Sequence, residues 1–368
     1  MRLPKFEYIT PKTIDEAISI ILEEKDDAKI IAGGTDILFN MSKRVMTPKY
    51  LVNIKEIKDL EYIKNGKDDL RIGALTTLNS IKESRIIKER FPMLAKAAGD
   101  VGAPQHRYSG TIGGNICLNT RCWYYNQSHF WRENRPVCYK LGGDEDNCDG
   151  FESWEGFPSP KGNVCYAVYS GDTAPSLITL GAEVKINGPE GERIIPLRVF
   201  FTGDGKKPFD LSPGDILTEV IIPNPPPYSY GVYLKHRWRE TIDFPLVGVA
   251  VNISLDSKDG ICEGASVVIG AVAPNPIIVA DAEDILMDKK ITDKEIEEVS
   301  QSAYNAVDPL PNLGPKKYMI ILKSWGVTYN ETDPLPNLGI FSKGYRKEMV
   351  KALTKRALNS ALQKIKSA

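Results

Sequence analysis

The chain has 368 residues, a length that predicts two or three domains at roughly 150 residues each. A composition of 42% hydrophobic and 26% charged residues excludes a disordered chain, and a formal net charge of -1 gives no basis for binding nucleic acid. The opening residues lack the apolar segment of a secretory signal, and no run of about 18 apolar residues could span a membrane. A cytoplasmic, reducing setting is therefore expected, where the six cysteines are unlike a disulfide framework.

The first hundred residues read as alternating strands and helices. Phe6 to Ile9 is a short extended start. Thr13 with Glu16 predicts a capping box, in which the hydroxyl accepts from an early helix amide and the carboxylate returns to the cap's own amide. Ile14, Ala17, Ile18, Ile21 and Leu22 then follow at helical spacing. AKIIAGG is a short apolar strand entering two glycines, and TDILFNM is a helical turn. LVNI (51–54) and LRIGAL (70–75) predict buried strands, and FPMLAKAAGDVG (91–102) an apolar helix ended by glycine.

Four glycines between 102 and 114 interrupt the pattern. Residues 120–165 then lose all periodicity and hold three of the five tryptophans, which predicts an irregular insertion ordered by something other than its own core. Helix and strand resume at DTAPSLITLGAEVKI. Strands are predicted at 182–187, 192–195, 216–222, 229–239, 246–255 and 261–272. The prolines of 222–227 exclude an interior strand there. Helices are expected at DAEDILM, at ITDKEIEEVSQSAYNAV and at 344–366, the last with Met349, Leu353, Leu358, Leu362 and Ile365 on one face. Eight Lys/Arg between Lys343 and Lys366 read as its charged outer face, one that can meet a partner subunit. DPLPNLG occurs twice, at 308–314 and 333–339, and is read as a local surface duplication.

Two glycine motifs carry chemistry. Ile31-Ala32-Gly33-Gly34-Thr35-Asp36 ends a strand, and Gly110-Thr111-Ile112-Gly113-Gly114-Asn115 repeats the pattern. Glycines let the backbone close on an anion while amides point toward it. Neither motif is a dinucleotide fingerprint or a P-loop. Two such turns fit a ligand with two phosphates lying between subdomains, and each alone also fits a bare tight turn.

AGGTD (32–36), RIGALTTL (71–78), TIGGNIC (111–117) and DTAPSLITLGAEV (172–184) resemble the flavin-binding subunits of the molybdenum hydroxylases. The likeness continues through LSPGDILTEVIIP (211–223), HRWRETIDFPLVGVAV (236–251), AVAPNPI (271–277) and YRKEMVKALTKRAL (345–358). It implies an α+β chain with two α/β subdomains of the PCMH-type FAD-binding fold, at 1–57 and 58–225. A C-terminal domain of CO dehydrogenase flavoprotein type, with a three-stranded antiparallel sheet and a helical bundle, would occupy 226–368. By the same resemblance Ile31, Ala32, Gly33, Gly34, Thr35, Asp36, Ile37 and Leu38, with Thr111, Gly113, Gly114 and Asn115, cradle the FAD pyrophosphate, and Gly73 and Ala74 lie nearby. Asp172 is expected at the ribose or adenine side, a role compatible with capping the helix it precedes. Lys235 and Asp243 are expected near the isoalloxazine.

Cys122, Cys138, Cys148 and Cys165 are separated by 15, 9 and 16 residues. Four thiolates can hold an iron–sulfur cluster or zinc, but this is neither a ferredoxin run nor a CxxC zinc site. Spacing alone leaves cluster, zinc and unligated thiols all open. The pattern NTRCWYYNQS…C…C…C within 118–166 resembles the insertion in β subunits of the 4-hydroxybenzoyl-CoA reductases. That resemblance implies a [4Fe–4S] cluster on Cys122, Cys138, Cys148 and Cys165, with Cys117 the rival first ligand but better read as packing. Cys262 reads as a buried small hydrophobe, and His129 as a packing or surface residue, with a ligand or a hydrogen-bond donor to the ligands as its alternative. Trp123, Tyr124, Tyr125, Phe130 and Trp131 are expected to shield the cluster.

The implied function is electron transfer with no catalytic residue on this chain. A ferredoxin-like carrier would exchange electrons with the cluster and FAD. Partner subunits would hold two [2Fe–2S] clusters and molybdopterin, in a dimer of heterotrimers that dehydroxylates an aromatic acyl-CoA reductively. Two other readings are an FAD oxidoreductase using NAD(P)H or a small substrate without a molybdenum partner, and a zinc-stabilised interaction subunit.

Overall fold

The computed structural model describes residues 2–144, 148, 164–309 and 343–367. Residues 145–147 and 149–163 of the insertion, the second DPLPNLG copy and most of the first lie outside them. At the N-terminus, β1 (Glu7–Ile9), β2 (Ala28–Ile31) and β3 (Tyr50–Asn53) form a parallel sheet in the order β1-β3-β2. The helix Ile14–Glu24 makes the crossover and buries Ala17 and Ile18 against Ala28 and Val52. Its cap differs from the expected box. Thr13 accepts from Glu16 N at 3.2 Å, but the Glu16 carboxylate accepts from Lys12 N at 2.6 Å, one residue before the cap. A reciprocal box does form at Thr292 and Glu295, at the start of the helix Asp293–Ala306.

The second sheet has the order β4-β5-β8-β6-β7 and is antiparallel throughout. Its strands are β4 (Ile63–Asn65), β5 (Asp69–Gly73), β6 (Glu183–Gly188), β7 (Gly191–Pro196) and β8 (Ile216–Pro223). β8 is central and buried on both faces, and it runs to Pro223, which pairs with Asp69. The expectation of no interior strand at 222–227 therefore fails for Ile222 and Pro223 and holds for Pro225, Pro226 and Pro227, which fall outside the ladder. The helices Leu78–Glu83, Arg85–Arg90, Pro92–Gly99 and Thr173–Thr179 pack on this sheet around Leu70, Ile72, Leu94, Leu177 and Val220.

The C-terminal sheet corrects the expectation of three strands. β9 (Ser229–His236), β10 (Val247–Leu255) and β11 (Cys262–Gly270) are joined by a fourth, β12 (Ile277–Ile278), in the order β12-β11-β10-β9. After Pro276 the chain turns back for two residues and pairs Ile277 with Ile269 and Ile278 with Val268, too short a run to carry a period. Helices Asp281–Leu286, Asp293–Ala306 and Lys343–Ser367 cover this sheet. Leu353, Leu358 and Ile365 are buried on the last helix, and Met349 and Leu362 are packed at the margin. Its outward Lys351 and Lys355 both reach Glu297 at 2.8 Å. No helix among the described residues is long and apolar enough to cross a membrane.

Candidate functional site

The two glycine turns meet. β2 delivers Ile31 to the first, where Gly34 takes φ +72°, a backbone conformation that glycine adopts without strain. In the second, Thr111 caps the short helix Ile112–Ile116 by accepting from Gly114 N at 3.1 Å. Ser109 Oγ donates to Gly33 O at 2.9 Å, and a methyl on Gly33 would clash with the Ser109 carbonyl and lie 2.7 Å from Gly110 Cα. Gly113 N donates to Ala74 O at 2.9 Å, and a methyl on Gly113 would sit 2.9 Å from Ala74 Cβ. Close backbone approach therefore explains Gly33 and Gly113. It also brings 31–38, 73–74 and 111–115 to one place. No hydrogen bond within the described residues takes the backbone N–H groups of Gly33, Gly34 or Thr35. Such amides suit an anionic ligand.

Asn115 is partly committed. Its Oδ1 accepts from Thr173 N at 3.1 Å and Thr173 Oγ1 at 2.7 Å, tying the second glycine turn to helix Thr173–Thr179. Asp172 precedes that helix, but its side chain makes no cap. Its carboxylate instead accepts from Tyr233 Oη at 2.7 Å and from Lys235 Nζ at 3.0 Å, both on β9. Lys235 also donates to Asp100 O at 2.9 Å. The Asp172 and Lys235 side chains are only 3% and 1% exposed, so the structure places these two sequence candidates in one buried ion pair. Burial pushes the Asp172 carboxyl above the usual carboxylate range, while Lys235 and Tyr233 pull it down. Asp243 lies on the loop between β9 and β10, paired with Arg239, which holds its carboxyl below the ordinary value.

The insertion is bolted to the first glycine turn by residues that the sequence reading passed over. Arg121 pairs with Asp36, lies 4.8 Å from the Phe244 ring centroid, and exchanges backbone bonds with Val168 (2.7 and 2.6 Å). Asn126 Nδ2 donates to Asn40 Oδ1 at 3.3 Å, and Arg132 donates to Lys43 O at 2.8 Å. Burial raises the Asp36 carboxyl, and Arg121 is the main opposing influence. The only sequence signal for Arg121 was its position next to Cys122.

Cys122, Cys138, Cys148 and Cys165 all line one cavity of about 190 Å³, together with His129, Trp131 and Lys140. Cys117 does not line it. It follows the helix Ile112–Ile116, packs against the second-sheet core, and has its thiol pushed up to about 12 by burial. Cys262 is buried on β11, with Sγ 3.4 Å from Gly264 O. Burial pushes Cys122 up to about 11, and the backbone amides of Tyr125 and Tyr124 directed at it pull the other way. Cys165 is pushed up to about 12 by burial, with the Ala167 amide opposing. Amides aimed at sulfur favour thiolates and stabilise metal-bound sulfur. Among the described residues no group of three or more His, Cys, Asp or Glu is arranged to hold a single metal ion. The aromatic shield is smaller than expected. Tyr124, Tyr125 and Trp131 line the cavity, but Trp123 and Phe130 are 57% and 78% exposed and do not shield it.

Acid–base chemistry has little material. The three histidines are dispersed: His106 accepts from Ala103 N, His129 pairs with Glu133, and His236 meets Tyr345.

Residues 4–225 match the family model described as the FAD binding domain in molybdopterin dehydrogenase, and residues 233–318 that of the CO dehydrogenase flavoprotein C-terminal domain. The chain is 29% identical to the nicotinate dehydrogenase FAD-subunit of Eubacterium barkeri, covering 79% of this chain and 83% of the relative. It is 30% identical to the aldehyde oxidoreductase FAD-binding subunit of Escherichia coli K12, covering 76% and 85%. Among solved structures, carbon monoxide dehydrogenase from Hydrogenophaga pseudoflava superposes with a TM-score of 0.73 at 25% identity, covering 98% of both chains.

Proposed function

Because the chain belongs to the FAD-binding medium subunits of the molybdenum hydroxylase family, we propose that it is an electron-transfer subunit carrying both FAD and a [4Fe–4S] cluster, in a complex of the 4-hydroxybenzoyl-CoA reductase kind. Bound FAD would exchange electrons in pairs or singly, and the cluster singly. The chain's own residues then have holding roles. The backbone around Gly33, Gly34 and Thr35, with Thr111 and Gly114 opposite, would receive the FAD pyrophosphate, and Ala74 would pack beside it. Lys235 and Asp172, locked together by Tyr233, would order the interior next to the flavin. Asp243 would approach the flavin only through the loop that carries it.

One observation supports the cluster: four thiols far apart in sequence line a single cavity, with backbone amides aimed at two of them. Zinc–sulfur bonds of about 2.3 Å draw four sulfurs around one point. In a cubane each thiolate binds a different iron, which suits sulfurs spread round a cavity. The dispersal of the histidines supports placing the organic substrate on a partner. We assign a molybdopterin subunit and a small subunit with two [2Fe–2S] clusters as those partners, a ferredoxin-like carrier as the external donor, and an aromatic acyl-CoA as the substrate.

The test is anaerobic co-expression with candidate partner subunits, followed by iron, sulfide and FAD analysis. Iron and sulfide should bind to this chain in equal amounts beside FAD. The Cys122→Ser and Cys138→Ser proteins should lose that iron and keep FAD, and Cys117→Ser should keep both. One zinc per chain without sulfide, or iron loss confined to Cys117→Ser, would overturn the assignment. Reductive dehydroxylation of an aromatic acyl-CoA by the assembled complex tests the substrate separately.

A further inference from the structure

Lys140 follows Cys138 by two residues in the turn Tyr139–Leu141, and its side chain lines the cysteine cavity. Its Nζ donates to Asn119 Oδ1 at 2.7 Å, to Thr120 O at 3.3 Å and to Thr120 Oγ1, and it lies 4.7 Å from the Tyr125 ring centroid. Those acceptors are held in place. Thr120 Oγ1 gives its own proton to Gly205 O at 2.6 Å, so it can only accept from Lys140. Asn119 Nδ2 donates to Tyr125 Oη at 3.1 Å, which leaves Oδ1 facing the ammonium.

All of these partners are neutral. Among the described residues Lys140 makes no ion pair with a carboxylate. Neutral acceptors orient this half-buried ammonium but do not compensate its charge. Lys140 therefore stands in the wall of the cavity that the four thiols line, which Arg132, Arg135 and Glu133 also border.

We infer that Lys140, held in place by Asn119 and Thr120, is a counter-cation of the four-cysteine site and raises the reduction potential of the cluster held there. This rests on the cluster reading above. A four-thiolate cubane is a net anion and gains one more negative charge when it accepts an electron. A fixed positive charge beside it stabilises the reduced form more than the oxidised form, so Lys140 raises the potential. Its role is positional, since it transfers neither electron nor proton.

The experiment compares wild type, Lys140→Met, Lys140→Gln and Lys140→Arg in the full chain co-expressed with its partners. Iron, sulfide and FAD are counted, and the cluster midpoint is read by EPR-monitored redox titration at one pH. Met and Gln should lower the equilibrium constant for reduction about tenfold, about 59 mV for one electron, with iron and FAD retained. Arg should stay near wild type. Loss of iron in Met and Gln but not in Arg would also support the inference, because the charge would then be needed to assemble the anion. An unchanged midpoint in Lys140→Met with full iron, or loss of iron in all three variants, would overturn it. A wild-type chain without iron and sulfide would sink the cluster reading itself, which separates the two failures.

Discussion

Asp172 and Lys235 lie 63 residues apart in sequence, yet each is the other's main compensation in the interior. Lys235→Met would leave the Asp172 carboxylate buried against Tyr233 with its countercharge gone. A loss of about 3–5 kcal/mol in urea unfolding is expected. The double variant with Asp172→Asn should cost less than the sum of the two singles. Gly33 supplies a second test at this scale. Its missing Cβ is what lets the two glycine turns touch, so Gly33→Ala should cost about 1–3 kcal/mol at that contact. The readout is the FAD-to-protein ratio after gel filtration, which should fall while the far-ultraviolet spectrum stays unchanged. The first glycine turn was legible as a strand end, whereas the second glycine pair lies inside the short helix Ile112–Ile116 and not at a strand end as expected. The Asp172–Lys235 pair was not legible, since a helix-start Asp looks the same whether it caps or reaches across to another sheet.

The last long helix, Lys343–Ser367, docks on the C-terminal sheet partly through His236 of β9, whose Nε2 lies 3.1 Å from Tyr345 Oη. Burial holds this imidazole below its ordinary value. The folded chain therefore takes up that proton less readily than the unfolded chain does. The stability contributed is fully present above about pH 6.5 and is lost as pH falls through the lowered folded value. Wild type should lose stability relative to His236→Gln between pH 7 and pH 5, measured by thermal unfolding in matched buffers. Strands β6 to β11 were legible because each either alternates or runs apolar, the latter in β8 and β10, which are buried on both faces. The two-residue β12 was not, since its existence depends on β11 already being in place. The outward Trp123 and Phe130 show the same limit: aromatic content marked the insertion, but which rings face the cysteine cavity is decided by its fold.

Across the whole molecule, the parallel three-stranded sheet, the antiparallel five-stranded sheet and the helix-covered C-terminal sheet follow one another along the chain. The insertion is the exception, since no periodicity announced its shape. What fixes it is a set of polar ties to distant elements: Arg132 to Lys43 O, Asn126 to Asn40, Cys165 N to Asp204 at 2.9 Å, and Arg121 to Asp36. The last tie has a thermodynamic consequence. Arg121 is joined by one peptide bond to Cys122 and by its guanidinium to the first glycine turn. Whatever orders the residues around Cys122 also orders the turn around Asp36, and the influence runs equally in both directions. Filling one site should therefore tighten the other by the same factor. If the proposed cluster is present, iron-depleted protein should bind FAD less tightly than iron-loaded protein, and Arg121→Gln should shrink that difference toward none. Flavin fluorescence recovered on dilution would read both, making a single guanidinium the measure of how strongly the FAD site and the proposed cluster site feel each other's occupancy.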